Sequence, residues 1–208
     1  HIGRLTHVPV KDVIASETVF EYRNKMEFSC SARRWLMPEE LADDTIAKDL
    51  GIGLHVPGTF DQVIDIQHCD IMPEQGNAVL AHVREFIRTS GLPAYHLRHH
   101  TGFWRYVMLR HSVARDQWMV NIVTRDKNLS VVNRLADSLA GSFDNLASIV
   151  NNITDARSGV STGKEEILLS GEAVITERLG RFAFEISANS FFQTNTRACE
   201  KLYEIVRS

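Results

Sequence analysis

The clearest strand patterns of the chain are two runs in its middle, GFWRYVMLRHS at 102–112 and DQWMVNIVT at 116–124. Both are rich in aromatic and branched apolar residues and contain no proline, which is typical of β-strands. The three residues between them, Val113 to Arg115, are few enough for a hairpin connection. The sequence therefore predicts a pair of antiparallel strands in the middle of the chain.

Helical patterns lie on both sides of this hairpin. Upstream, Val79, Leu80, Val83, Phe86 and Ile87 recur at helical spacing within 72–91, and Gly91 and Pro93 supply a stop signal. Downstream, the run at 129–143 has the same character and is followed by a strand pattern at 145–154. With a further strand at 62–69, this series matches a split β-α-β-β-α-β unit, so we expect an α+β fold with a mostly antiparallel sheet.

The outer segments add more strands and a last helix. We expect strands at 19–30, at 51–58 and 62–69 around a Pro57–Gly58 turn, and at 166–187 with a turn at Leu179–Gly180. The run at 38–50 is typical of a short helix or an acidic loop. After Asn195, a suitable helix cap, an apolar stripe made of Ala198, Leu202, Ile205 and Val206 needs a partner, either this sheet or a domain absent from the chain.

Composition limits the kinds of function. The chain has 208 residues, 44% hydrophobic content and a formal net charge of −3, which suit a folded protein without a general coating of positive charge. Its apolar runs are far shorter than the roughly 20 residues of a membrane span. Three scattered cysteines indicate a reducing cytoplasm rather than a disulfide framework. The first residues carry neither a signal pattern nor a methionine, so we expect a fragment.

Positive charge is concentrated locally, between Tyr95 and Arg134. There, seven basic residues face only two acids, with Phe103, Trp104, Tyr106 and Trp118 interleaved. A basic stretch with aromatics is typical of nucleic-acid contact, although a solvated basic face is the ordinary explanation for any one of these residues. The basic residues are Arg98, Arg105, Arg110, Arg115, Arg125, Lys127 and Arg134.

Four motifs in order carry a family resemblance over nearly the whole chain: YRNKMEFS (22–29), GLHVPGTFDQVIDIQHC (53–69), GFWRYVMLR (102–110) and SFFQTN (190–195). They resemble the bacterial RNA (uracil-5-)-methyltransferases, in particular the branch that modifies 23S ribosomal RNA. The resemblance implies an N-terminal stub at 1–18, a central RNA-binding domain at 19–186, and at 187–208 the start of a catalytic domain whose Rossmann-like, S-adenosyl-L-methionine-binding part is lacking here.

The same resemblance implies the chemistry. Members of the family form 5-methyluridine: a cysteine adds to carbon 6 of uracil, carbon 5 takes the methyl group, and a glutamate base removes the carbon 5 proton. The sequence contains no Cys-Asn-Pro type motif and no Gly-rich cofactor turn, so we expect this segment to be inactive alone. Of the cofactor contacts, the resemblance assigns only Gln193, whose amide can both donate and accept.

The remaining implied residues concern RNA and a metal cluster. Arg23 and Lys25 match basic positions on the RNA-facing strand, and Arg98, Arg105 and Phe191 are further RNA candidates, with Phe191 as a possible stacking partner or a core anchor. Cys69 matches the last of four cysteine ligands of a four-iron four-sulfur cluster in many ribosomal-branch members, or is a plain buried thiol.

The expected partner is ribosomal RNA, with no membrane and no obligate protein partner. Two other functions stay open at this point. One is a non-catalytic RNA-binding module, and the other is a ligand-sensing domain with a ferredoxin-like plan, since one fold hosts many functions.

Overall fold

The computed structural model describes residues 8–157, 159 and 161–207, which form one large sheet, three α-helices and a separate hairpin. The first half contains β1 (Lys25–Ser31), β2 (Arg34–Trp35), β3 (Gly51–His55), β4 (Val63–Asp65) and α1 (Glu74–Thr89), with a 3-10 helix at Pro38–Glu40. The second half contains β5 (Trp104–Ser112), β6 (Gln117–Thr124), α2 (Leu129–Ala140), β7 (Leu146–Ile153), β8 (Glu165–Gly171), β9 (Val174–Leu179), β10 (Phe182–Ser187) and α3 (Thr196–Arg207).

The predicted hairpin forms the middle of an eight-stranded sheet in the order β2-β4-β3-β1-β5-β6-β7-β8. Strands β5 and β6 pair antiparallel, with Leu109 opposite Val120. Helix α2 crosses from β6 to β7, which lie parallel as a β-α-β connection requires. Strands β2 and β4 are also parallel, and the other neighbours are antiparallel. The α+β class and the mostly antiparallel sheet are therefore confirmed.

One face of the sheet is buried under α1 and α2. Alternate residues of each strand point to this side, so that Phe28 of β1, Val107 of β5, Val120 of β6 and Ile149 of β7 join one apolar core. Helix α1 contributes its predicted stripe, including Leu80, to the same core. The two helices therefore cover the central strands on this face.

The opposite face is covered at one end by the hairpin of β9 and β10. Gly180, in the turn between these strands, has φ +55°, a left-handed conformation that glycine adopts without strain. Ile175 and Ile186 of the hairpin pack on Met119 and Val150 of the large sheet. The part of this face made by β1, β3 and the start of β5 is not covered by the hairpin.

The split β-α-β-β-α-β prediction is wrong. In that unit the strands on either side of each helix run parallel, but β1 and β3 lie between β4 and β5 and leave those two strands antiparallel. The sequence predicts the order of the helices and of the strands apart from the two-residue β2. It does not predict the places of β1 and β3 in the sheet, because strand pairing depends on long-range contacts that periodicity does not encode.

The strand predicted at 19–30 begins later, at Lys25. Before it, the backbone amides of Glu21 and Arg23 donate to the carbonyl oxygens of Asp70 and Ile71, at 2.9 and 2.8 Å. Those amides are therefore committed to the loop ahead of α1 and cannot join the sheet. Across the described ranges, no helix is both long and apolar enough to span a bilayer.

Candidate functional site

Residues 187–196, here called the seam segment, connect β10 to α3 and are held to the large sheet by β1. The side-chain amide of Asn24 donates to the carbonyl oxygen of Gln193 at 2.9 Å and to the hydroxyl of Thr196 at 2.8 Å. The backbone amide of Asn24 donates to the carbonyl oxygen of Thr194 at 2.8 Å. One buried asparagine therefore fixes three positions of the seam segment.

The buried carboxylate of Glu177 belongs to the same hydrogen-bond network as Asn24. Glu177 of β9 accepts hydrogen bonds from the backbone amides of Val113 and Ala114, at 2.8 and 3.0 Å, and from the hydroxyl of Thr196, at 3.2 Å. It also accepts from the amide of Arg178 at 2.8 Å. Glu177 thus ties the β5–β6 turn, the β9–β10 hairpin and the start of α3 to one another.

Arg110 supports the seam segment from β5. Its guanidinium, which is only 4% exposed, donates to the carbonyl oxygen of Ser190 at 2.6 Å. Burial lowers the pKa of Arg110 to about 10. Lys25 lies directly opposite it across the β1–β5 pair, and burial together with the Arg110 charge lowers the pKa of Lys25. Two cations thus share this side of the sheet next to the seam segment.

Within the seam segment, neighbouring side chains have different environments. Phe192 packs against the core of the β9–β10 hairpin, with its ring centroid 5.8 Å from that of Phe184. Phe191 is 84% exposed. Gln193 is also exposed, and in the described part of the chain its carboxamide has no hydrogen-bond partner. Phe192 is the anchor, whereas Phe191 and Gln193 are available for contact.

Helix α3 begins as the sequence predicts, since the side chain of Asn195 accepts from the amide of Ala198 at 3.0 Å. Its first turn is buried at Thr196 and Cys199, but Leu202 and Val206 are 50% and 76% exposed. The predicted apolar stripe therefore does not pack on the sheet over its second half. Glu17 pairs with Lys201 at 3.1 Å and so connects the segment before β1 to this helix.

A second feature, the sheet groove, lies on the uncovered part of the sheet. It is a cavity of about 750 Å³, a size typical of ligand sites. Its floor is built by Glu27 and Ser29 of β1 and Tyr106 of β5, and the loops after β3 and α1 raise its walls. The lining residues are Glu27, Ser29, Gly53, Leu54, His55, Phe60, Leu97, Arg98, His100, Tyr106, Arg157 and Gly159.

Arg98 is positioned at the groove by a buried acid. Its guanidinium binds the carboxylate of Asp61, which also accepts from Arg33 at 2.9 Å. The hydrogen bond from Arg98 lowers the pKa of Asp61 despite the opposing effect of burial. The Arg98 guanidinium also lies 5.2 Å from the centre of the Phe60 ring, within cation–π range. About half of the Arg98 side chain is nevertheless exposed.

The chain is similar in sequence to known proteins over nearly its whole length. No protein-family model matches the chain. An uncharacterized RNA methyltransferase of Chlorobaculum tepidum is 41% identical over 98% of this chain and 43% of its own length. One from Porphyromonas gingivalis is 30% identical over 99% of this chain and 45% of its own. The chain is a part-length homologue of RNA methyltransferases.

A solved structure gives the same result. The chain is similar to the tRNA (uracil-54, C5)-methyltransferase of Pyrococcus abyssi in complex with S-adenosyl-L-homocysteine, with a TM-score of 0.70 and 26% identity. The match covers 94% of this chain and 42% of that one. The RNA methyltransferase homologue thus spans less than half the length of the relatives it matches, and the aligned part is the α+β sheet described above.

The structure leaves some of the predicted RNA-binding residues of this chain accessible and folds back or buries others. Lys25 is half-buried on the same face of β1 as Glu27, and Arg98 lines the groove. Arg23 folds back, since its Nε donates to the carbonyl oxygen of Lys25 at 3.1 Å. Arg105 is 1% exposed, and its guanidinium donates to the carbonyl oxygens of Thr154 and Ala156 and lies 4.3 Å from the centre of the Tyr95 ring. Arg105 therefore presents no charge to the surface.

Cys69 lies in the loop before α1, where its backbone amide donates to the side chain of Asn77 at 2.9 Å. The other two cysteines, Cys30 and Cys199, are buried elsewhere, and burial raises the pKa of the Cys30 thiol to about 12. Within the described residues, no three His, Cys, Asp or Glu side chains are placed to share a metal ion. These residues do not fit an iron–sulfur cluster, which needs four ligands. Cys69 as a ligand stays a prediction about a longer protein.

Sequence reasoning missed several residues of both features. Glu27, His55 and Arg157 of the groove and Glu177 of the seam network were not selected. A weak signal existed for Glu27, because Lys25, Glu27 and Ser29 alternate along β1 and so share one face. Arg157 and Glu177 reach their places through contacts between distant parts of the chain, for which the sequence holds no local pattern.

Proposed function

We propose that this chain is the RNA-facing part of an S-adenosyl-L-methionine-dependent RNA (uracil-5-)-methyltransferase that forms 5-methyluridine in 23S ribosomal RNA. The observation that carries the proposal is homology along almost the whole chain to RNA methyltransferases. The solved neighbour, named as a methyltransferase of uracil carbon 5, supports the same reaction, although its own substrate is tRNA.

RNA would meet the uncovered face of the sheet. Lys25 and Arg98 offer charge for phosphate oxygens, and exposed Phe191 offers a ring on which an unpaired base can stack. Lys25 has a lowered pKa because it is half-buried beside Arg110, so a nearby phosphate would relieve the repulsion between these two cations. Arg105 has no part in this contact, since it is buried.

Gln193 would contact the methyl donor. When bound, S-adenosyl-L-methionine supplies the electrophilic methyl group. The part of this chain is to hold the Gln193 backbone through Asn24, which leaves the carboxamide exposed and able to bind a polar edge of the cofactor. The nucleophilic cysteine and the base would come from sequence outside this chain.

The domain division follows the same logic. We propose that residues 19–186 form the RNA-binding domain and that 187–208 open the catalytic domain, with residues 1–18 as a stub. The exposed half of the α3 stripe, at Leu202 and Val206, suits a surface that the catalytic domain covers.

The experiment uses a protein that carries this chain together with the catalytic half. It is incubated with S-adenosyl-L-methionine and transcripts of 23S ribosomal RNA or tRNA, and the RNA is digested for nucleoside mass spectrometry. We expect 5-methyluridine in the ribosomal transcript. Methylation of tRNA alone would correct the substrate, and methylation of another base would reject the reaction. RNA binding without any methylation would favour a non-catalytic RNA-binding module.

The Gln193 role is tested in the same protein by Gln193→Ala. A single hydrogen bond is worth roughly 0.5–1.5 kcal/mol, so we expect cofactor affinity measured by calorimetry to fall by up to about tenfold. Gln67→Ala is the matched control, because Gln67 is an exposed glutamine after β4, outside both the groove and the seam segment. Equal cofactor affinity in the two variants would remove Gln193 from the site.

A further inference from the structure

The floor of the sheet groove holds an acidic group that the proposed RNA contact does not explain. Glu27 lies in the middle of β1, opposite Met108 of β5, and its side chain points to the same face as Ser29. Among the described residues its carboxylate makes no hydrogen bond and no ion pair within 4 Å, although its charge acts on Lys25, two residues before it on the same face of β1. An acceptor placed at the bottom of a cavity favours a ligand with hydrogen-bond donors on its inner edge.

The rim of the groove has the opposite charge. Arg98 and Arg157 both line it, and His100 is placed beside them. The exposed ring of Phe60 contributes apolar surface to the same cavity, which the largely buried Tyr106 also lines. A ligand that fits this pattern has a planar body, donors at one end and a negative charge at the other.

A ribonucleotide has all three properties. Its base is planar and stacks on aromatic rings, its phosphate binds arginine, and proteins read unpaired bases at their Watson–Crick edges. The cavity of about 750 Å³ has room for one nucleotide.

The carboxylate discriminates among the four bases. Guanine presents two adjacent donors, N1–H and the N2 amino group, which match the two oxygens of a carboxylate. Adenine and cytosine present one amino group beside an acceptor nitrogen, and uracil presents a single N–H between two carbonyls. Paired hydrogen bonds to a charged acceptor are among the strongest that proteins form. Ser29 lies two residues further along β1 on the same face, with its hydroxyl 3.0 Å from the Nε2 of His55, so it lines the cavity beside the carboxylate.

We propose that the sheet groove binds an unpaired guanine nucleotide of the substrate RNA, with the base on Glu27 and the phosphate on Arg98 and Arg157. The groove is formed by β1, β3 and β5 and not by the seam segment. The identity of the ligand as part of an RNA rests on the proposed function.

The test uses the 208-residue chain. The 5′-monophosphates of guanosine, adenosine, cytidine and uridine are titrated in turn, and amide shifts in NMR spectra give the location and the dissociation constants. We expect the guanosine nucleotide to bind at least fivefold more tightly than the others and to shift the resonances of Glu27 and Tyr106. Glu27→Gln should remove this preference, since its amide hydrogens would face the donors of guanine.

Two further variants serve as a charge control and as a test of the phosphate contact. Glu85→Gln makes the same charge change on the exposed side of α1 and should leave all four affinities unchanged. Arg157→Gln should weaken all four nucleotides alike, by about tenfold or less, because a phosphate contact carries no base information. Equal binding of the four nucleotides, shifts outside the groove, or a guanine preference that survives Glu27→Gln would each overturn the proposal.

Gel shifts of a structured RNA with the same protein preparation test the guanine site and the proposed RNA-binding function separately. Salt-sensitive RNA binding without a guanine preference would reject the guanine site and leave the proposed function standing. A guanine preference without any RNA binding would reject the RNA as its source and count against the proposed function.

Discussion

The side-chain amide of Asn24 donates a 2.9 Å hydrogen bond to the carbonyl oxygen of Gln193, across 169 positions of sequence. The bond connects the residue just before β1 to the middle of the seam segment. The large sheet and the proposed cofactor contact are therefore connected by a direct hydrogen bond.

Replacing Asn24 with alanine should loosen the seam segment. The change removes two buried hydrogen bonds and leaves the carbonyl of Gln193 and the hydroxyl of Thr196 short of a donor. We expect a loss of about 2 kcal/mol in the free energy of unfolding, measured by urea denaturation. Hydrogen exchange of the amides of 190–196 should rise more than that of α1. Uniform acceleration in both regions would show that Asn24 has no special role in the seam.

Replacing Glu177 with glutamine should destabilise the protein although the two side chains have the same shape. Glu177 accepts from four donors, two on each oxygen, and the amide nitrogen of glutamine would replace one oxygen and point its hydrogens at two of them, either Val113 with Thr196 or Ala114 with Arg178. We expect a loss of about 2–3 kcal/mol in unfolding free energy. Glu185→Gln, on the exposed face of β10, is the control and should change stability by less than about 0.5 kcal/mol. Similar losses in both variants would contradict the network.

Alanine substitutions of the neighbouring Phe191 and Phe192 should have separate effects, one on RNA binding and the other on stability. Phe192→Ala removes a packed ring and should lower the unfolding free energy by about 2–3 kcal/mol. Phe191→Ala should leave stability unchanged, because its ring is 84% exposed, and should weaken RNA binding by about tenfold through lost stacking. Fluorescence anisotropy with a labelled RNA hairpin measures the second effect. An RNA affinity unaffected by Phe191→Ala would remove this residue from the interface.

Acid should weaken the wall of the sheet groove through Asp61. The hydrogen bond from Arg98 lowers the folded-state pKa of Asp61 below its unfolded value of about 3.9. The resulting stability is present above that unfolded value and is lost as the pH falls through the folded-state pKa. Urea unfolding of wild type and Asp61→Asn between pH 2 and pH 7 checks this. The stability difference should be constant from about pH 5 upward and shrink below about pH 4, and a difference that grows in acid would contradict the pairing.

Local features of this fold could be predicted from the sequence because they depend on near neighbours. Helix α1 follows from the spacing of Val79, Leu80 and Val83, and the β9–β10 hairpin follows from Gly180 between two apolar runs. The cap of α3 at Asn195 was predicted on the same basis. In each case the decisive residues lie within about one turn or one hairpin of each other.

Features that depend on distant contacts could not be predicted. Nothing near Arg105 indicates that the carbonyl oxygens of Thr154 and Ala156 bind its guanidinium inside the protein, and composition alone placed it on a basic surface. The insertion of β1 and β3 between β4 and β5 is of the same kind. The position of Glu27 in a cavity is apparent only from the folded structure, where β3, β5 and the loop that carries Arg98 surround it.

We propose that this chain serves a methyltransferase that acts on carbon 5 of uracil in RNA. The most direct measurement uses RNA with tritium at carbon 5 of its uridines, mixed with a protein that carries this chain and the catalytic half. Methylation at that carbon must displace the isotope, so we predict release of tritium into water that depends on S-adenosyl-L-methionine and equals the methyl groups incorporated. Methyl incorporation without tritium release would place the reaction elsewhere on the RNA and contradict the account.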